Sequence, residues 1–574
     1  MRNGNPDTKI ITHLSYEQLF NEIRKGQLIL PISYIKDLQN LDSYIDEIIK
    51  DFDSTESIRY SSFLNMIIQT YGINESLKLG LNELNSCGLS NKNINAIVFH
   101  QENLLYYICK IILKKENGHL NITGNNRKNN TKEYYKTLLL INSELNKIKG
   151  NNELSFLKNI FIRSYPYYYS PRSAFHVYST RIQRYWYIYD TLLKKSDKNK
   201  IDKIEATIKL IENKTKISLQ DYFYVLRQML MWFLEIPIKK QLAKDRGLDS
   251  VGFNYKNLNT FYINKINFKT DPRFINLIEN LSLDLKEFKG KFSQSNQRYK
   301  VKGFYEHFQN FFDYPVFKIN NNDFCIIDLK FLIEGICSGF LWHIKNISPN
   351  QFKEIKPQYG YILEKYFVFL VKNIFPNIKI TSNISGKPDA ILEYGNSVVI
   401  FEFTTEYYRF SSLYNAEISQ FLDDLYKMLF NNGKKDKKGR GKKDEGKFIK
   451  LNRYIEEFKG KKVIPVLITE NYLGDYDLLD KFGNFLKNEV KNKNLKNIQE
   501  FKPLVISLDD LETFWALSNN KNSCNEFIEA FNNWENVKKG SYHYNLSYFI
   551  ARQKNGKVQN NNYKKFFNFK KFLD

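Results

Sequence analysis

From Leu14 to about residue 290 the apolar side chains recur at helical spacing. LSYEQLFNEIRKGQLIL places Leu14, Leu19, Phe20 and Ile23 on one face, and SSFLNMIIQTYGI, NLLYYICKIILKK and YFYVLRQMLMWFLEI repeat the pattern. Asn- and Lys-rich connectors such as ENGHLNITGNNRKNNTKE separate these segments, and no fixed-period repeat links them. After residue 300 the period changes. PVFKINNNDFCIIDLKFLIEGICSGFLWHI predicts strand, Asn-Asn turn, strand and helix. QYGYILEKYFVFLVKNIFP predicts an amphipathic helix from about Gln358 to Ile374, stopped by Pro376. NIKITSNI, PDAILEY and SVVIFEFTTE then read as strands, YNAEISQFLDDLYKMLF as a helix, KKVIPVLITE as a strand, and KPLVISLDDLETFWAL as strand then helix. The order is α-β-β-β-α-β with a further β-α unit.

This pattern predicts an α+β protein. A mainly helical recognition or regulatory region spans 1–295, and a β-hairpin and helix lead-in spans 296–350. The α-β-β-β-α-β domain spans 351–525, and a basic tail spans 526–574. The length of 574 residues accommodates about two to four domains. Five cysteines with no CxxC spacing argue against a disulfide framework and a structural zinc site. No apolar leader opens the chain and no apolar run is long enough to span a bilayer, so a soluble cytoplasmic protein without membrane contact is expected.

The net charge of +24 favours a polyanionic partner, nucleic acid before others. The Lys, Asn, Ile and Tyr content is also what an AT-rich genome produces, so charge alone does not decide. Two stretches sharpen the question. YPYYYSPRSAFHVYSTRIQRYWYIYD interleaves Arg172, His176, Arg181 and Arg184 with aromatics. It reads either as a surface that stacks bases and holds phosphates, or as an aromatic core helix whose arginines snorkel to solvent. NNGKKDKKGRGKKDEGKFIK, from Asn431 to Lys450, has almost no apolar residues and reads as a mobile basic loop. Its Lys434, Lys435, Lys437, Lys438, Arg440, Lys442 and Lys443 are candidate phosphate contacts. Arg409, just past the third strand of the domain, is another.

The candidate chemistry lies in GKPDAILEYGNSVVIFEFTTE. Asp389 and Glu402 are 13 positions apart, a spacing that suits a hairpin with a short turn and brings both carboxylates to its open end. Strand alternation sets Glu402 and Thr404 on one face and Phe401 and Phe403 on the other. A glutamate inside VVIFEF needs a metal or a basic partner, because an unpaired buried carboxylate is costly. Phosphodiester hydrolysis needs an activated water and charge neutralisation, which Mg²⁺ held by two carboxylates supplies. His307 and His343 sit on amphipathic segments as packing residues. No HExxH spacing, P-loop or GxSxG motif competes.

With Pro388-Asp389 on the second strand and Glu402 on the third, residues 355–475 resemble the PD-(D/E)XK nuclease superfamily. The resemblance implies a restriction-endonuclease-like αβββαβ domain. It implies metal ligation by Glu364, Asp389 and Glu402, with Mg²⁺ or Mn²⁺ as cofactor. The implied activity is endonucleolytic hydrolysis, of DNA ahead of RNA, in the manner of bacterial restriction or anti-phage defence effectors. The family pattern expects lysine two residues after the glutamate, and Thr404 stands there instead. Lys387 or Lys427 would then replace it, or Thr404 or Gln420 would orient the water. Alternatively, the site is degenerate and the domain only binds nucleic acid or a partner protein, or the substrate is RNA. A partner protein or homo-oligomer fits the helical region.

Overall fold

The computed structural model describes residues 41–71, 101–114, 118–120, 127–145, 180–225, 262–264, 272–298, 308–337, 349–376, 380–382, 387–405, 418–431, 445–470, 485–518 and 523–538, with 546, 550 and 563. Arg409, the lysines and arginine of 434–443, Arg172 and His176 lie outside these residues. The protein is a mixed α+β chain, mostly helical, with two small mixed sheets. Among the described residues no helix is long and apolar enough to cross a membrane.

The chain forms two compact units, each built from two separate stretches: 1–167 with 228–334, and 168–227 with 335–574. These do not follow the divisions read from the pattern. Segment 168–227, which has the same helical periodicity as its neighbours, belongs to the unit that carries the candidate site. Periodicity reports which face of a helix is buried, not which partner buries it.

The first unit packs helices Ser54–Tyr71, Gln101–Leu113 and Arg127–Leu145 around buried aromatics, with Tyr107 and Tyr134 edge to face at 4.8 Å. It also holds a sheet of order β1-β4-β3-β2: β1 (Tyr262–Asn264), β2 (Ser282–Leu283), β3 (Val316–Lys318) and β4 (Asp323–Ile326). The β3–β4 hairpin and the helix after it follow the predicted pattern. The very short β1 and β2 lie in the stretch whose pattern predicts helices, because two or three residues are too few to display a period.

The second unit carries the sheet that positions the site, in the order β5-β6-β7-β8-β9. Its strands are β5 (Ile380–Ser382), β6 (Ala390–Tyr394), β7 (Ser397–Thr404), β8 (Lys462–Thr469) and β9 (Leu504–Ser507). The first three pair antiparallel, and β7–β8 and β8–β9 pair parallel. Gly395 and Asn396 make the β6–β7 turn, with Gly395 at φ +55°, where glycine bears no steric cost. β7 and β8 are buried along nearly their whole length, as parallel strands covered on both faces are.

Helix α1 (Pro349–Ile374) covers one face, with Phe367 stacked on Phe403 at 5.4 Å. It begins nine residues earlier than the pattern predicts and runs through Pro357. The missing N–H of an interior proline is costly, but Ile355, before it, is buried and anchors the extra turns. α2 (Ile418–Phe430) and α3 (Lys447–Glu456) follow β7 in the chain and pack on each other, with Phe430 and Phe448 edge to face at 5.6 Å. α4 (Leu508–Leu517) starts directly after β9, where Ser507 and Asp510 form a capping box. α5 (Ser523–Lys538) adds Phe527, 5.2 Å from Phe514.

Arg181 and Arg184 take neither of the two positions expected for them. Both are buried within the second unit and pair with Asp509 and Glu512 of α4. Burial pushes both acids up. Arg181 and Arg184 together overcome it at Asp509, held down at about 2, but Arg184 does not overcome it at Glu512, which stays above the usual carboxylate range. From the basic tail, Tyr563 hydrogen-bonds Thr180 at 3.0 Å and sets its ring 5.5 Å from that of Trp515.

Candidate active site

The β6–β7 register pairs Ala390 with Phe401, so one step further on Asp389 stands opposite Glu402. The Phe403 backbone N–H donates to Asp389 Oδ2 at 2.7 Å, which fixes that carboxylate at the strand end. Glu402 is 1% exposed, and Thr404, two residues on along the same side of β7, is also buried.

The basic partner that a buried Glu402 requires is Lys447. Its Nζ stands 2.8 Å from Glu402 Oε2 and 3.7 Å from Asp389 Oδ2. Lys447 opens α3, and its position is set by close backbone packing. A Cβ on the preceding Gly446 would lie 2.4 Å from the Leu429 carbonyl oxygen at the end of α2. Only glycine lets the chain turn so tightly into α3. The basic loop read from the sequence therefore ends by Gly446, and Lys447 to Lys450 are helical.

The replacements expected for the missing lysine are engaged elsewhere. Lys387 pairs with Glu457 at 2.5 Å, and Lys427 with Asp423 one helical turn away at 2.6 Å, both exposed. Gln420 is half-buried in the first turn of α2. Glu364 is half-buried on α1. Burial and the Asp389 charge raise its affinity for a proton, while Lys447, Lys450 and Lys200 lower it. Among the described residues no group of three or more His, Cys, Asp or Glu is clustered to hold a metal ion, so Glu364 is not drawn into one set with Asp389 and Glu402. Glu470, directly after β8, is buried and accepts from Tyr359 at 2.6 Å and from Tyr185.

Burial pushes the Glu402 carboxyl up to about 7, with the Asp389 charge adding to it and Lys447 opposing. The folded state therefore binds this proton more tightly than the unfolded chain, whose glutamate titrates near 4.5. The stability tied to that proton is present below 4.5 and is lost as the pH rises through 7. At about 1.4 kcal/mol per pH unit the loss is about 3 kcal/mol. Glu402→Gln is expected to remove this slope. Urea unfolding of both proteins at pH 5 and pH 8 measures it, and a wild-type-minus-variant difference that does not change with pH refutes the assignment.

Two carboxylates at the end of adjacent strands and one ammonium from α3 make a polar site at the border of a dry core. The acids offer hard oxygen donors for a divalent cation, and the lysine offers a charge for an anionic group. No family model, no curated protein and no solved structure matches this chain.

Proposed function

We propose that the chain is a metal-dependent endonuclease that hydrolyses phosphodiester bonds in DNA, with Lys447 in the role of the lysine that its third strand lacks. The observation that carries this reading is the ammonium of Lys447 at 2.8 Å from Glu402 and 3.7 Å from Asp389. Support for a restriction-endonuclease-like domain comes from the order of elements. Helix α1 precedes three antiparallel strands, α2 and α3 follow, and the next strand joins in parallel. The lysine reaches the acids from α3, beyond α2 in the chain, instead of from the strand.

The donor set fits Mg²⁺ or Mn²⁺, which prefer oxygen ligands. Asp389 and Glu402 would hold the ion, with Glu364 nearby. A bound ion would supply a water of lowered pKa and neutralise phosphate charge. The chain's own residues prepare the rest. The Phe403 N–H orients Asp389. β7 presents Glu402 at the edge of an apolar interior, where charge interactions are strong. Lys447 offers its ammonium to charge that develops on the phosphate. A role in bacterial restriction or anti-phage defence is the biological setting that fits such a domain joined to a helical unit, by analogy.

The test is cleavage of plasmid DNA and of RNA, with and without Mg²⁺, by wild type, Asp389→Asn and Glu402→Gln. Each variant is expected to lose about a thousandfold or more of the rate. Variants that cut as well as wild type would sink the reading. The absence of a three-acid group among the described residues favours a second reading: a subunit that binds nucleic acid without cutting it. Under that reading Mg²⁺ neither supports cleavage nor raises the melting temperature at pH 8.

A further inference from the structure

On helix α1, one tyrosine ring gathers two lysines. Lys200, from the short turn Lys198–Lys200, sets its ammonium 5.0 Å from the centre of the Tyr361 ring. Lys365, one turn further along α1 than Tyr361, sets its own 4.6 Å from the same ring and donates to Ser196 Oγ at 3.2 Å. The clip lies at the strand end that carries the site. A Cβ on Gly360 would stand 3.4 Å from Oγ1 of Thr405, the residue after β7. Lys450, three residues beyond Lys447 on α3, is half-buried.

Among the described residues none of these three ammonium groups has a carboxylate at ion-pair distance. Nearby lysines do: Lys194 pairs with Asp190 at 2.6 Å, and Lys203 with Glu354 at 3.7 Å. The two clip lysines are thus oriented, one by an aromatic face and the other by the same face and a hydroxyl, with their charge left over. Cation–π contact restrains a lysine without neutralising it. Positive charge from three separate segments, restrained at the two clip lysines and without an ion-paired carboxylate among the described residues, suits a polyanion that passes the site. Lys200 and Lys450 also act on Glu364, which ties both to the surroundings of the carboxylates.

We infer that Lys200, Lys365 and Lys450 form a phosphate track that holds the backbone of a polynucleotide strand, DNA or RNA, on either side of the bond facing Asp389 and Glu402. The track deepens the nuclease reading and rests on it for the identity of that bond. Its existence as a binding surface is read separately from cleavage.

The experiment measures binding of labelled duplex DNA, single-stranded DNA and single-stranded RNA to the full chain in EDTA, by fluorescence anisotropy across a range of KCl. Wild type is compared with Lys200→Gln/Lys365→Gln/Lys450→Gln, and with Lys194→Gln/Lys203→Gln as a control that removes two of the ion-paired lysines. Each phosphate contact contributes about 0.9 to the slope of log affinity against log salt on duplex and about 0.7 on single strands. The triple variant is expected to lose about 2 to 3 units of slope and at least about tenfold in affinity, with its melting temperature kept and the control near wild type. Lys365→Gln alone is expected to lose about one unit. An unchanged slope in the triple variant, an equal loss in the control, or wild type that binds no polynucleotide better than free inorganic phosphate overturns the track. If the slope falls as expected while Asp389→Asn cuts like wild type, the track stands and the nuclease reading fails.

Discussion

Lys447→Met is expected to lower single-turnover cleavage at pH 7 by about a thousandfold or more. Two effects add. A positive charge aimed at a developing anion is worth about 10² to 10³ in rate. In addition, Lys447 opposes the burial that pushes Glu402 up to about 7. With the ammonium gone, the carboxyl moves further up and is mostly protonated at neutral pH, where it cannot serve as a metal ligand. The sign follows: wild-type rates are expected to rise with pH through about 7 as Glu402 ionises, and the residual activity of Lys447→Met to rise only at higher pH. Cleavage time courses from pH 5.5 to 9 separate the two effects, since a lost electrostatic contact lowers the plateau and a displaced titration moves the midpoint. Lys387→Met and Lys427→Met should retain wild-type rates, because those ammoniums sit on Glu457 and Asp423. A Lys447→Met protein that cuts normally, or a Lys387→Met protein that does not, would remove Lys447 from the site.

The carboxylate hairpin was legible in the sequence and the lysine was not, for a physical reason. Two apolar runs on either side of Gly395-Asn396 specify a hairpin locally, and a charged residue within VVIFEF declares its need for a partner. That partner is 45 residues away, inside a run where lysines outnumber all other types. Composition cannot say which of them turns inward. A signal was present nonetheless: Phe448, Leu451 and Ile455 recur at helical spacing immediately after Gly446-Lys447, and all three are buried. That spacing starts a helix at Lys447 and ends the loop there. Arg181 and Arg184 were harder still. They stand three apart, as do Asp509 and Glu512, but nothing local joins two such pairs across more than 300 residues of chain. The aromatic setting of the arginines fits a nucleic-acid surface as well as a core, and only the fold distinguishes them.

Arg184→Ala is expected to destabilise the second unit by about 3 to 5 kcal/mol, the usual cost of removing one member of a buried ion pair. The guanidinium holds Asp509 at 2.5 Å and Glu512 at 2.6 and 2.7 Å. Arg181 still serves Asp509 when Arg184 is lost, so the burden falls on Glu512, left with the Tyr366 hydroxyl at 2.7 Å. Burial already holds the Glu512 carboxyl above its usual range against the pull of Arg184. Without that pull it moves higher, so the folded variant binds a proton that the unfolded chain releases near 4.5. The stability carried by that proton is present below 4.5 and lost as the pH rises. The gap to wild type is therefore expected to be narrow at pH 5 and wide at pH 8. Glu512→Gln in the Arg184→Ala background should recover most of the loss at pH 8, because a neutral amide needs no counter-charge. Urea unfolding of the three proteins at both pH values measures all of this. A loss below about 1 kcal/mol that is the same at both pH values would mean that the pairs are not desolvated. Nucleic-acid affinity gives an independent reading on folded protein: with its guanidinium closed off from solvent, Arg184 contributes nothing to the salt slope, whereas an arginine serving as a phosphate contact would take about 0.7 to 0.9 units with it.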